Sequence, residues 1–247
     1  MSYYYHCVVN MYRIKMSTSS SIALVHTQFR CPSTTLVCGA SGSGKTTFIY
    51  NVLRYKHLVI ANGANISNIL YFYNTWQPLY DRMKQEGLVT TWINAAPTSR
   101  QLEDLTAHFR NGPGSICIID DFLTNISKDI MEIFTIVSHH NKICVFLLSQ
   151  CIFPKNPYFR ELSINAKYIV LHKNPRENAQ VEYLARQINP RKKNIFIQAF
   201  QAATQAPYSY IIFNLHQETP DHLRIQARIF PHEWTNDQEP FTIYLPD

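Results

Sequence analysis

Short apolar runs separated by amphipathic stretches set the rhythm of this chain. Residues 34–38, 68–73, 115–119, 143–148 and 167–171 are nearly continuous in Val, Ile, Leu, Phe, Tyr, Cys and Thr. Strands buried on both faces have this composition and length. A further run at 22–29 and another at 88–93 read as strands, and 208–215 with 223–230 read as a closing antiparallel pair. Between them, 47–53, 77–85, 126–138, 159–165, 177–187 and 195–203 carry helical spacing, with Val181, Leu184, Ala185 and Ile188 on one side of their helix. Ser99 opens one more helix, with Glu103 near a capping-box position, and Asn111-Gly112-Pro113-Gly114 ends it. Strands alternating with helices predict an α/β fold, a mainly parallel sheet covered on both faces.

The 247 residues fit one such domain over 21–230. A polar, Tyr- and Ser-rich flexible arm is expected over 1–20, where Met11 and Met16 are alternative starts, and an acidic tail over 231–247. Apolar content of 46% belongs to a globular protein. No stretch approaches the roughly 18 apolar residues of a membrane span, and the N-terminus lacks the layout of a signal peptide. Six cysteines form no C-x-x-C pair, and Cys38, Cys117 and Cys144 fall in predicted strands, which favours core thiols in a reducing compartment.

Charge is uneven along the chain. Residues 1–60 carry six Lys/Arg and no acid, and 151–228 carry eleven against five. The densest basic run is Arg191-Lys192-Lys193. Such a surface suits a polyanion.

The chemistry enters directly after the strand at 34–38. Gly39-Ala40-Ser41-Gly42-Ser43-Gly44-Lys45-Thr46 reads G-x-x-x-x-G-K-T, between a strand and the helix that starts with Thr47. Glycines let consecutive N–H groups turn inward onto phosphate oxygens, and the helix N-terminus adds positive potential. Lys45 can then reach β- and γ-phosphates, and the Thr46 hydroxyl can hold Mg²⁺. The strand at 115–119 ends in Asp120-Asp121. With this strand placed beside the loop-bearing one, Asp120 can reach the Mg²⁺ shell, and Asp121 can orient or deprotonate water. Ser149-Gln150 closes another strand, where the Gln150 amide can sense the γ-phosphate. The paired His139 and His140 face different ways on a helix end and lack partners for a metal set.

Together with Ser138-His139-His140-Asn141 and 169–176, these motifs resemble the FtsK/HerA superfamily of additional-strand P-loop NTPases. In that group the sensor strand lies between the other two motifs. More closely, the chain is similar to the DNA-packaging ATPases of adenovirus-like, Polinton-like and poxvirus-type double-stranded DNA viruses, over roughly 28–230. The resemblance implies an ATP- and Mg²⁺-dependent motor, a homo-oligomeric ring acting on double-stranded DNA against a capsid or portal protein inside the host cell, in the nucleus or at a cytoplasmic assembly site. It assigns Lys45 and residues 39–47, including Thr47, to nucleotide, Thr46 and Asp120 to metal, and Asp121 to the catalytic base, where the family often has Glu. Gln150 takes the sensor position, and Arg160 or Arg176 acts across a subunit interface. A P-loop kinase would need an arginine-rich lid, and a non-hydrolysing assembly factor would need Asp121 or the arginine to fail. A helicase would need a second core domain.

Overall fold

A computed structural model of the chain describes residues 28–122, 126–233 and 242–243. The expected arm, most of the strand at 22–29, Cys7 and most of the acidic tail lie outside these residues. The long apolar runs become β1 (Ser33–Cys38), β2 (Asn68–Tyr73), β4 (Ser115–Asp120), β5 (Ile143–Ser149) and β6 (Tyr168–His172). With β3 (Thr91–Ile93) they form six parallel strands. Then β7 (Tyr210–Asn214), β8 (Ile225–Ala227) and β9 (Thr242–Ile243) extend the same sheet antiparallel. The order is β3-β2-β4-β5-β1-β6-β7-β8-β9.

Period-2 alternation divides the apolar side chains between two layers. Leu36, Cys117, Ile119, Val145 and Leu147 face one way. Val37, Ile116, Ile118, Phe146 and Leu148 face the other. The second layer is covered by α1 (Lys45–Arg54), α2 (Lys56–Val59) and α3 (Pro78–Gln85). The first is covered by α4 (Ser99–Thr106), α5 (Lys128–Glu132), a π-helical turn at Ile133–Val137 that runs into α6 (Ser138–His140), and then α7 (Phe159–Asn165), α8 (Asn178–Ile188) and α9 (Lys193–Ala203). Cys38, Cys117 and Cys144 are buried free thiols, and burial pushes Cys38 up to about 12. No helix among the described residues is long and apolar enough to cross a membrane.

Four local expectations change. The acidic strand β4 does not touch β1, because β5 pairs with both and separates them. The cap of α4 is Thr98, whose Oγ1 accepts from the N–H of Gln101, so the helix begins with a Thr-x-x-Gln pattern rather than at Ser99 with Glu103. The run at 88–93 yields only three strand residues, because the Thr90 hydroxyl takes over the partners of Ile69. It donates to the Ile69 carbonyl at 2.7 Å and accepts its N–H at 2.8 Å. From the run at 22–29, Phe29 makes an isolated parallel bridge to Ile60.

Candidate nucleotide site

The glycine-rich loop, both acids and Gln150 leave the sheet at the carboxyl ends of β1, β4 and β5. The chain turns out of β1 through a loop that only glycine can complete at both ends. Gly44, at φ 104°, caps α1 in a conformation costly for any residue with a Cβ. A Cβ on Gly39 would lie 2.7 Å from His172 Cβ. Lys45 donates from Nζ to the carbonyls of Gly39 at 2.7 Å and Ala40 at 2.9 Å. Burial holds Lys45 below the ordinary lysine value, while the charge of Asp120 works against that shift.

Asp120 ends β4 on the face of the sheet that α1 covers. Its side chain therefore reaches the loop's side of the sheet although β5 intervenes. Its Oδ2 accepts from the hydroxyls of Tyr80 at 2.7 Å and Tyr71 at 2.8 Å, and only 4% of the residue is exposed. Burial pushes its carboxyl above the usual range, and the two phenols and then the Lys45 charge pull it back. Asp121 follows at φ 68°, a left-handed conformation for a non-glycine residue that turns its carboxylate away from the strand line. Gln150 Nε2 donates to Asp121 Oδ1 at 3.4 Å. Thr46 Oγ1 donates to Gln77 Oε1 at 3.3 Å.

These groups share one cavity of about 180 Å³, lined by Ser41, Gly42, Lys45, Thr46, Gln77, Asp120, Asp121, Leu148 and Gln150. A phosphate loop on β1, an acid on β4 and a polar side chain at the end of the strand between them meet at one point. The fold is that of an additional-strand P-loop NTPase.

No family model and no curated protein matches the sequence. The P-loop domain is similar to the crystal structure of the DNA-packaging ATPase from Sulfolobus turreted icosahedral virus, at 13% identity and a TM-score of 0.49 over 87% of this chain and 98% of that one. It is similar to the genome-packaging NTPase of Sulfolobus turreted icosahedral virus 2 in complex with AMPPCP, at 15% identity and a TM-score of 0.47, covering 87% and 98%. A KaiC-like protein from Pyrococcus horikoshii is similar at 12% identity and a TM-score of 0.45, covering 95% and 99%.

The P-loop domain thus brings together Lys45, Thr46, Asp120, Asp121 and Gln150. Arg160, exposed on α7, and Arg176, exposed beyond β6, do not line the cavity. Both lie on segments that leave the carboxyl ends of β5 and β6. Four nearby residues were not read from the sequence. Gln77 and Tyr80 fell in the helix expected at 77–85, Tyr71 in the strand expected at 68–73, and Glu177 at the start of the helix expected at 177–187. Glu177 is buried within reach of the Lys45 charge. A Tyr or Gln carries no local mark of the carboxylate or hydroxyl it will meet from a distant segment.

Mg²⁺ favours oxygen ligands, commonly one or two carboxylates together with substrate phosphates. The Thr46 hydroxyl, the Asp120 carboxylate and the Gln77 amide oxygen fit that donor set among the residues lining the cavity. His139 and His140 belong to no group of metal-ligating residues among the described ones. A larger cavity of about 620 Å³ lies beside α8 and α9, around Leu184, Phe196 and Arg224. It contains none of the loop, the acids or the amide, so the chemistry is assigned to the smaller one.

Proposed function

We propose that the protein is an ATP-hydrolysing motor that translocates double-stranded DNA, packaging a viral genome into a capsid as part of a homo-oligomeric ring. The observation that carries the hydrolytic part is the convergence of Lys45, Thr46, Asp120, Asp121 and Gln150 on one cavity at the loop. Lys45 exchanges the neutral carbonyls of Gly39 and Ala40 for phosphate oxygens, a stronger charge-assisted bond. The backbone of residues 39–47, through Thr47, cradles the phosphates. Thr46 and Asp120 would hold Mg²⁺, which would supply positive charge to the phosphates. Asp121 accepts the proton of the attacking water, and Gln150, already on the Asp121 carboxylate, orients that water.

Arg160 or Arg176 supplies positive charge to a neighbouring subunit's γ-phosphate, and their exposed positions on the cavity's end of the sheet support that role. Duplex DNA is the partner suggested by the excess of base over acid in 151–228, and the resemblance of the motifs to packaging ATPases supports it. In the basic run, Lys193 lies 3.5 Å from Glu182, so part of that charge is locally compensated. The reading is tested by ATP turnover with and without linear duplex DNA over a salt series. Turnover should rise severalfold with DNA at low salt, irrespective of its sequence, and the stimulation should decay steeply as salt increases. Stimulation by a small hydroxylated acceptor in place of DNA would identify a kinase.

A further inference from the structure

A third cavity, of about 330 Å³, opens beside the phosphate loop. Its floor is Gly44, Thr47 and Phe48, and its walls are Tyr208, Tyr210, Arg228 and Phe230. The first cavity is lined by Lys45 and Thr46, so the two are separated by consecutive residues of one loop and helix start. Gly44 and Thr47, the residues on either side of Lys45 and Thr46, give a triphosphate with its γ end at Asp120 and Asp121 a path out of the first cavity. What is attached to its α-phosphate then arrives at this aromatic hollow, whose volume falls within the ~300–1,000 Å³ of small-molecule pockets.

The hollow is built rather than incidental. Tyr208 is 71% exposed, although large aromatic side chains are usually covered. Its backbone is left-handed, at φ 63°, and a Cβ added to Gly44 would sit 3.2 Å from Tyr208 Cβ. Strain in a non-glycine residue beside a phosphate loop is of the kind held at ligand clamps. The wall behind it is fixed. Tyr210 donates to Glu233 Oε2 at 2.7 Å and accepts the Ile229 N–H at 3.0 Å, and Phe230 N donates to the same Glu233 oxygen at 3.0 Å. Phe48 packs edge-on against Tyr210 and Phe230 at centroid separations of 4.8 and 5.4 Å. Packed aromatic rings and the exposed Tyr208 thus line one hollow.

We infer that this hollow binds the base and ribose of a nucleoside triphosphate, and that Tyr208 stacks on the base and sets how strongly the nucleoside contributes to binding. The inference rests on the phosphate-site reading above and adds to it the residues that hold the nucleoside. Stacking tolerates any base with a π-face and favours the larger purine surface.

The test compares ATP with inorganic tripolyphosphate, which has the phosphates without the nucleoside, on Tyr208→Asn and Tyr208→Phe. Asn accepts left-handed backbone, so the first variant removes the ring without forcing the turn. Tyr208→Asn should raise KM for ATP about tenfold, within the range for losing one base–aromatic stack. It should leave kcat and the inhibition constant of tripolyphosphate within twofold of the parent, and Tyr208→Phe should restore KM. An unchanged KM in Tyr208→Asn, or equal weakening of ATP and tripolyphosphate, overturns the nucleoside assignment while the phosphate site stands. If the parent protein binds neither compound, the phosphate-site reading fails and this one falls with it.

Discussion

Tyr80 donates its phenolic hydrogen to Asp120 across 2.7 Å, and Tyr71 donates to the same oxygen. A carboxylate at the end of a buried strand is costly, and two phenols from α3 and β2 offset part of that cost. They leave the other carboxylate oxygen for a metal. Tyr80 thereby stabilises the ionised form of Asp120, and the sign of its removal follows. Burial already raises the Asp120 carboxyl, so an Mg²⁺ held there as proposed should be lost on the acid side at a pH above the ordinary carboxylate range. Tyr80→Phe removes a hydrogen bond that favours the anion, so the acid limb of kcat/KM should move to still higher pH. A profile that stays in place, or moves to lower pH, contradicts this role.

Lys45 and Asp121 should fail differently. Lys45→Ala is expected to weaken nucleotide binding and turnover together. Asp121→Asn keeps a residue type that accepts left-handed backbone, and it should bind ATP like the parent with turnover lower by about 10²–10⁴-fold. Direct binding alongside steady-state turnover separates the two. Parent-like turnover in Asp121→Asn would remove Asp121 as the base.

Neither Arg160 nor Arg176 lines the cavity of its own subunit, and in the proposed ring one of them completes a neighbour's site. Turnover should therefore rise with protein concentration. Lys45→Ala, which keeps its arginines, should partly rescue the Ala variant of whichever arginine acts in trans, with a gain of up to about 10³-fold for each completed site. Full turnover from a monomer, independent of concentration, would exclude this arrangement.

How much of this could be read from the chain depends on the range of each interaction. The phosphate loop and its flanks are local, and Lys45 and Thr46 follow from eight consecutive residues. Asp120 was legible because an apolar strand ending in carboxylates is unusual. The strand order was legible only in part, since nothing within 115–121 says whether the strand pairs with β1 or β5. The resemblance to additional-strand NTPases put the sensor strand between the loop-bearing and acidic strands, and the completed sheet has β5 there. Gln77, Tyr71, Tyr80 and Tyr208 were missed for one reason. Their partners are supplied from 31, 49, 40 and 164 residues away, at Thr46, Asp120, Asp120 and Gly44 respectively. The cap of α4 was misplaced by one residue, because Thr98 and Ser99 are equivalent caps in composition and only the backbone chooses.

Whether hydrolysis drives movement along DNA is the central claim, and a roadblock assay tests it most directly. A third strand paired to one end of a linear duplex is released when a translocating protein reaches it. The P-loop domain should release that strand only with hydrolysable ATP and Mg²⁺, for any intervening duplex sequence, and Asp121→Asn should release none while still binding both ligands. ATP turnover without release, under conditions where the DNA is bound, would contradict the motor.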